Sequence, residues 1–343
     1  MREALHARIC ALVDRFSGGQ RDDDARDRLL NEVLAWQRTR IPVLQRLGSD
    51  RAVPTDVFRH TRVAGHAPSE DVRRFLTSGT THGTRGTHAL CDLSLYDRAA
   101  RSAAAHALFR GLMRPRLVML APRPDDRPES SLSYMLGRFE RWFGGDTRWV
   151  MPGDRVDIDA LKTALEGVDA PVVVLGTSFA FVHAEDALGD ARFTLPSGSR
   201  LMQTGGFKGR SREVAPDALR AALAARYRVP ESHVIAEYGM TELSSQMYED
   251  TLLGGEGPRR LWVPGWVRTT VVDPERLRPL DDGEVGLLRI DDLANLDSVA
   301  AIQTSDLAIQ HGDRIELLGR APGAVPRGCS LAIEEALATE PSS

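Results

Sequence analysis

Residues 234–242 read Val-Ile-Ala-Glu-Tyr-Gly-Met-Thr-Glu, and their reading decides the fold. The first five form a short, mostly apolar run of the kind that makes a buried strand. Gly239 stops it, and Met240, Thr241 and Glu242 follow at the strand end. Three other stretches have the same form. Leu-Val-Met-Leu stands at 117–120, Val-Val-Val-Leu at 172–175 before Gly176, and Leu-Met-Gln-Thr at 201–204 before Gly205. Between them the apolar period turns helical. Leu132, Met135, Leu136 and Phe139 share one face, and helices are predicted at about 157–166 and 216–226. Short apolar strands alternating with helices predict an α/β fold with a largely parallel sheet. In such sheets ligands bind beyond the C-terminal strand ends, which is where 238–242 would lie.

Outward from this centre the texture changes. Leu5, Ile9, Leu12, Val13 and Phe16 line one helical face. A polar break at 18–26 is followed by a second helix through Leu29, Leu30, Val33, Leu34 and Trp36, which is expected to stop at Pro42. Residues 41–58, with Pro42 and Pro54, read as an extended connector. Beyond residue 260, short strands at 262–263, 268–272, 285–290 and 315–318 are separated by Pro, Gly and Asp turns, predicting a small, mainly antiparallel β subdomain. The expected organisation is an N-terminal helical region and connector at 1–60, an α/β domain with its β subdomain at 61–320, and a tail at 321–343.

Composition narrows the class. The 343 residues are 42% hydrophobic and 27% charged, as in an ordinary globular protein. Lys+Arg 44 against Asp+Glu 48 leaves a formal charge of −4, which provides no basic field for nucleic acid. No apolar stretch reaches the ~18 residues of a membrane span. Cys10, Cys91 and Cys329 are odd in number and widely spaced, which argues against a disulfide framework or a Cys-rich zinc site. His82, His88 and Cys91 lie close in sequence but lack an apparent fourth ligand. A reducing cytoplasm is the expected location. Of the 44 basic residues only Lys162 and Lys208 are lysines, so any lysine-dependent chemistry has two candidates.

Four motifs carry chemistry. Leu76-Thr77-Ser78-Gly79-Thr80-Thr81-His82-Gly83-Thr84-Arg85-Gly86 combines glycines, which let backbone N–H groups approach an anion, with hydroxyl donors. Its spacing is not that of a P-loop. Gln203-Thr204-Gly205-Gly206-Phe207-Lys208-Gly209-Arg210 lies at another strand end. In 238–242, the ring of Tyr238 can stack on a base, the Thr241 hydroxyl can bond a phosphate, and the Glu242 carboxylate suits Mg²⁺. Thr304-Ser305-Asp306-Leu307, then Gly319-Arg320, offers an aspartate and an arginine able to hold ribose hydroxyls.

In this order the four motifs resemble those of the adenylate-forming superfamily of acyl-CoA synthetases and peptide-synthetase adenylation domains. The loop at 77–83 is similar to its Ser/Thr-Gly-Thr-Thr-Gly signature, 238–242 to its aromatic-Gly-x-Thr-Glu motif, and Ser305-Asp306-Leu307 to its Thr-Gly-Asp-Leu. The resemblance covers about 75–320. It implies that Ser78, Gly79, Thr80 and Thr81 surround the phosphates of ATP. It further implies that Gly205, Gly206 and Phe207 wall the adenine, that Tyr238, Gly239 and Met240 pack against it, and that Thr241 contacts the α-phosphate. Glu242 would bind Mg²⁺, and Asp306 would hold the ribose with help from Arg320. Lys208, the only lysine inside a motif, is the candidate for contacting phosphate or carboxylate.

Two departures stand out. The phosphate loop has His82 inserted before Gly83 and lacks the family lysine, with Arg85 the nearest cation. Only residues 321–343 follow Arg320, where large family members carry a C-terminal domain with a catalytic lysine, so the usual domain-rotation cycle is not expected. The short chain, together with Arg327-Gly328-Cys329-Ser330-Leu331, resembles a narrower group: acyl-protein synthetases of the LuxE type, which activate fatty acids for bacterial luminescence reductases. That resemblance implies activation of a fatty or aryl carboxylic acid to an acyl-adenylate. The acyl group would then pass to Cys329 and on to an acyl-accepting protein, a reductase or carrier. The alternatives are a ligase acylating coenzyme A or a carrier protein directly, and a non-catalytic nucleotide-binding scaffold subunit. Residues 330–337 have helical character, so Cys329 would sit at a helix N-terminus. There the dipole and Arg327 would lower a thiol pKa while Glu334 and Glu335 oppose them.

Overall fold

The computed structural model describes all residues except 49–50, 78–83, 206–213, 256, 322–326 and 338–343. The chain folds as two compact units. The first comprises Met1–Ala103, Met240–Met247 and Pro258–Ser343, and the second Ala104–Gly239 and Tyr248–Gly257.

The second unit is the parallel α/β body. Its strands lie in the spatial order Thr147–Trp149, Arg116–Leu120, Val172–Thr177, Arg200–Thr204 and Val234–Tyr238, all parallel to their neighbours. The apolar runs predicted as strands are strands because both faces are covered. Val118, Val174, Leu201 and Val234 are fully buried with Phe181, Leu223 and Tyr227 from the helices. Burying a side chain such as Phe181 stabilises by roughly 1.5–3 kcal/mol. The helices begin at side-chain caps: Ser130 accepts from Ser133 N, Asp157 from Ala160 N, and Thr177 from Ala180 N. Gly176 does not end its strand, which runs on to Thr177. It is a point of close approach, since a Cβ there would stand 2.9 Å from the carbonyl oxygen of Leu120 on the paired strand.

The first unit holds the N-terminal helices and the antiparallel strands. Helices Arg2–Phe16 and Asp23–Arg38 bury the predicted faces except Leu34, which is half-buried, and the second helix starts inside the expected polar break because Asp22 caps it by accepting from Ala25 N. The second ends at Arg38, before Pro42, and Pro42 instead opens a short helix, Pro42–Arg46, in which its missing N–H costs nothing. The expected extended connector is therefore mostly folded. Val53–Pro54 pairs with a later strand, and Thr55–Arg59 forms a 3-10 turn. Strands Val267–Val272, Val285–Asp292, Ala301–His311 and Arg314–Arg320 form an antiparallel meander, with Leu261–Trp262 against the last. Ala301–His311 is a strand the sequence reading missed, because its Gln, Thr, Ser and Asp break the apolar pattern. The tail forms a helix, Arg327–Leu337. Among the described residues no helix is long and apolar enough to cross a membrane.

Candidate active site

In the second unit, strands Arg200–Thr204 and Val234–Tyr238 lie side by side with Thr204 opposite Glu237. This register brings the Thr204 hydroxyl onto the Glu237 carboxylate, to which it donates. Glu237 is buried, and burial pushes its carboxyl up to about 7, with the Thr204 bond pulling the other way. The following residue, Tyr238, is half-buried. Gly205 follows Thr204 at φ +69°, a left-handed turn suited to glycine. Its carbonyl accepts from the Ser178 hydroxyl at 2.8 Å, so the start of the preceding helix, Ser178–Leu188, fixes the loop's first residue. Gly206, Phe207 and Lys208 lie outside the described residues, as do Ser78, Gly79, Thr80 and Thr81. Phe181 belongs to the core, while Phe179 is half-buried with its ring 6.2 Å from that of His183.

In the first unit, Met240, Thr241 and Glu242 form a turn closed by Leu243 N–H donating to Met240 O at 3.1 Å. Its main chain is gripped from several directions by buried polar side chains. His88 donates through Nδ1–H to Thr241 O at 2.8 Å, since a carbonyl can only accept. Burial pushes this imidazole down to about 4, so it is neutral near pH 7. Asn295 Nδ2 donates to Glu242 O at 2.8 Å and to Val299 O at 3.1 Å. Asp292 accepts from Ser244 N, Ser245 N, Ala294 N and the Ser245 hydroxyl, at 2.7–3.1 Å. Burial raises its pKa while these donors stabilise the carboxylate. Trp266 Nε1 bonds Ser245 Oγ at 3.0 Å. Three buried atoms around the turn, His88 Nε2, Ser244 Oγ and Asn295 Oδ1, have no protein partner among the described residues. Polar atoms left in this way mark places for water or ligand.

Asp306 and Arg320 face each other across the strand pair, with Arg320 Nε 3.5 Å from Asp306 Oδ1. The aspartate side chain is 16% exposed and the arginine 75%, so the carboxylate is the fixed member. Glu242 is buried. Among the described residues no three His, Cys, Asp or Glu side chains converge as a metal cage. One carboxylate fits Mg²⁺ only if the ion takes its other ligands from phosphate and water, which is its usual habit.

Cys329 lies in the first turn of helix Arg327–Leu337, 2% exposed, packed on Val272 and Leu287 with Leu277, Leu307 and Ala321 around it. Burial, and the charge of Asp56, push its thiol up to about 11. The lowered pKa that a helix N-terminus and Arg327 would give does not prevail, because the sulfur faces an apolar nest. Arg46 Nε donates to Ala336 O at 2.6 Å and Arg51 pairs with Glu335 at 2.8 Å, holding the helix down. Sequence reasoning missed Glu237, His88, Asp292 and Asn295. For Asp292 and Asn295 the available signal was polar residues interleaved with the apolar ones of segment 286–300.

A family model described as "Acyl-protein synthetase, LuxE" matches residues 49–338. A long-chain-fatty-acid–luciferin-component ligase of Aliivibrio fischeri is 22% identical over 299 residues, covering 82% of this chain and 76% of its own length. A protein of the same name from Vibrio harveyi is 28% identical over 106 residues, 29% of this chain and 26% of its own. Among solved structures, 2-hydroxyisobutyryl-CoA ligase, in complex with 2-HIB-AMP and CoA, matches with a TM-score of 0.61 at 14% identity over 87% of this chain and 74% of that one. ATP-bound MatB from Rhodopseudomonas palustris matches with a TM-score of 0.53 at 15% identity over 75% of this chain, which spans only 49% of MatB. At these identities the likeness is one of fold, and the fold is that of adenylate-forming enzymes.

Proposed function

Because the chain belongs to the LuxE family of acyl-protein synthetases, and so is a ligase, we propose that it activates a fatty acid with ATP and passes the acyl group to a thiol. A carboxylate oxygen attacks the α-phosphorus, the bond to the bridging oxygen breaks, and pyrophosphate leaves an acyl-adenylate. A thiolate then attacks the acyl carbon, AMP departs with the bonding pair, and a thioester remains. The observation that carries this reading is the 240–243 turn, whose threonine and glutamate are backed by His88, Asp292 and Asn295. Catalysis in the first step is mostly positioning and charge neutralisation.

The roles follow the motif. Tyr238, with Gly239 and Met240, packs on adenine beside Gly205, Gly206 and Phe207. Thr241 donates to the α-phosphate, and Asp306 accepts from the ribose hydroxyls with Arg320 beside it. Ser78, Gly79, Thr80, Thr81 and Lys208 surround the phosphates and the carboxylate. Glu242 holds Mg²⁺, which when bound neutralises phosphate charge. The acceptor is Cys329, which hands the acyl group to a partner protein. The burial of its thiol favours a second reading, in which an external thiol takes the acyl group directly.

The test is acid-dependent ATP–pyrophosphate exchange across fatty and aryl acids, followed by labelling with radioactive acid and ATP. Cys329→Ser should keep exchange and lose the hydroxylamine-sensitive label on the protein. Labelling equal to wild type would move the acceptor off the chain's Cys329. Absence of exchange with every acid would leave a nucleotide-binding scaffold.

A further inference from the structure

The buried turn at 295–300 links the N-terminal helices to the catalytic turn. Every residue from 295 to 300 is buried, so its main-chain polar groups must find partners inside the protein. Gln37, on the helix Asp23–Arg38, supplies three of them. Its Nε2 donates to Asn295 O at 2.9 Å and Leu296 O at 3.0 Å, and its Oε1 accepts from Ala300 N at 3.0 Å. Gln37 is 0% exposed, on a buried helix face that carries Leu29, Leu30, Val33 and Trp36 and, at its far end, Arg26. An apolar residue would suit that face, yet it would leave three groups unpaired. Arg2, on the first helix, grips Asp297 with two bonds at 2.7 and 2.8 Å.

From this turn Asn295 reaches Glu242 O. Its second bond, to Val299 O, uses the other amide hydrogen and fixes the rotamer. His88 holds Thr241 O on one side, and Asp292 holds Ser244 N and Ser245 N on the other. Glu242 O is thus tied through Asn295 to a turn that the N-terminal helices keep in place, while His88 and Asp292 hold the residues on either side of it. Residues 1–48 lie outside the family match, which begins at residue 49.

We propose that Gln37 and Asn295 are positioning residues for nucleotide activation, forming a polar brace from the N-terminal helices through the 295–300 turn to Glu242. The proposal rests on the assignment of Thr241 and Glu242 to ATP activation. Loosening the brace displaces a threonine hydroxyl and a carboxylate whose distances to phosphate and metal set the rate, and a misplacement near 1 Å can cost roughly 100-fold.

The experiment uses the full chain, with tetradecanoic acid as the probe acid. Gln37→Met and Asn295→Asp are compared with wild type and with Arg8→Ala, which breaks only an exposed ion pair to Glu32. Two readouts are taken below the melting temperature of each variant. The first is kcat in pyrophosphate exchange with the KM for Mg-ATP and for the acid. The second is amide hydrogen exchange at 243–247, read by mass spectrometry. The brace predicts a kcat/KM for Mg-ATP lowered by roughly 10- to 100-fold, with the acid KM near wild type. It also predicts faster exchange at 243–247, with no change at 172–177 in the second unit. Arg8→Ala should match wild type in both. A lowered melting temperature with unchanged kcat/KM for Mg-ATP would show a merely structural role and overturn the proposal, as would unchanged hydrogen exchange at 243–247. A wild-type chain without pyrophosphate exchange would refute the activation reading itself and remove what the brace positions, an outcome distinct from a loss confined to the variants.

Discussion

Releasing the C-terminal helix should expose Cys329, and the structure sets the size of the effect. With its thiol pushed up to about 11, about one molecule in 10,000 carries the thiolate at pH 7, against about 3% for a free cysteine of pKa about 8.5. Ionisation alone therefore slows N-ethylmaleimide by about 300-fold, before any steric block. The pH profile identifies the route. Reaction in the docked state keeps rising tenfold per pH unit to about 11, whereas reaction through an undocked helix levels near 8.5. Arg46→Ala removes the bond from Nε to Ala336 O. A hydrogen bond from a charged donor contributes about 1.5–3 kcal/mol, so the undocked population should rise about 10- to 150-fold. Arg51→Ala should do less, because both members of its pair with Glu335 are more than a third exposed. Timed labelling followed by peptide mass spectrometry separates Cys329 from the half-buried Cys10 and Cys91. Wild-type Cys329 labelling at the rate of a free thiol, or an Arg46→Ala rate equal to wild type, would refute the docked picture.

Glu237→Gln tests the buried carboxyl of the second unit. The folded state holds the Glu237 proton to about 7 rather than 4.5, so this group's contribution to stability is fully present below 4.5 and is lost as pH rises to about 7. At about 1.4 kcal/mol per pH unit the loss comes to roughly 3.5 kcal/mol. The glutamine variant should flatten urea-unfolding stability over that window and be the more stable protein at alkaline pH. Parallel pH profiles would count against a buried acid. Asp306→Ala should raise the KM for ATP about 10- to 150-fold, the worth of a hydrogen bond to a charged group. Arg320→Ala, with its side chain 75% exposed, should change it by a few-fold. A larger effect at Arg320 than at Asp306 would reverse the assignment. Glu242→Ala should abolish magnesium-dependent exchange while far-UV circular dichroism stays that of wild type, and retained exchange would take the metal away from Glu242.

What the sequence determined by itself was whatever depends on neighbours along the chain. Apolar runs at 117–120, 172–175, 201–204 and 234–238 form strands of the second unit because a run of that length must bury both faces. The helical faces at the N-terminus obey a local period, and the order of the motifs pointed to the family. The misreadings at Pro42 and Gly176 came from local rules with two outcomes. Proline opens helices as well as stopping them, and glycine admits a neighbouring strand as well as ending one. Tertiary structure alone decided the environment of the groups that carry chemistry. His88 meets Thr241 across 153 residues, and Gln37 meets Asn295 across 258. Nothing in the spacing along the chain brings such pairs together; they meet because the apolar faces around them pack and leave each buried polar group to be satisfied by whatever lies opposite. The Cys329 thiol followed the same rule. A helix N-terminus argued for a reactive sulfur, but burial against Val272 and Leu287, with the charge of Asp56 added, raised its pKa, because desolvation in an apolar contact outweighs a terminal dipole.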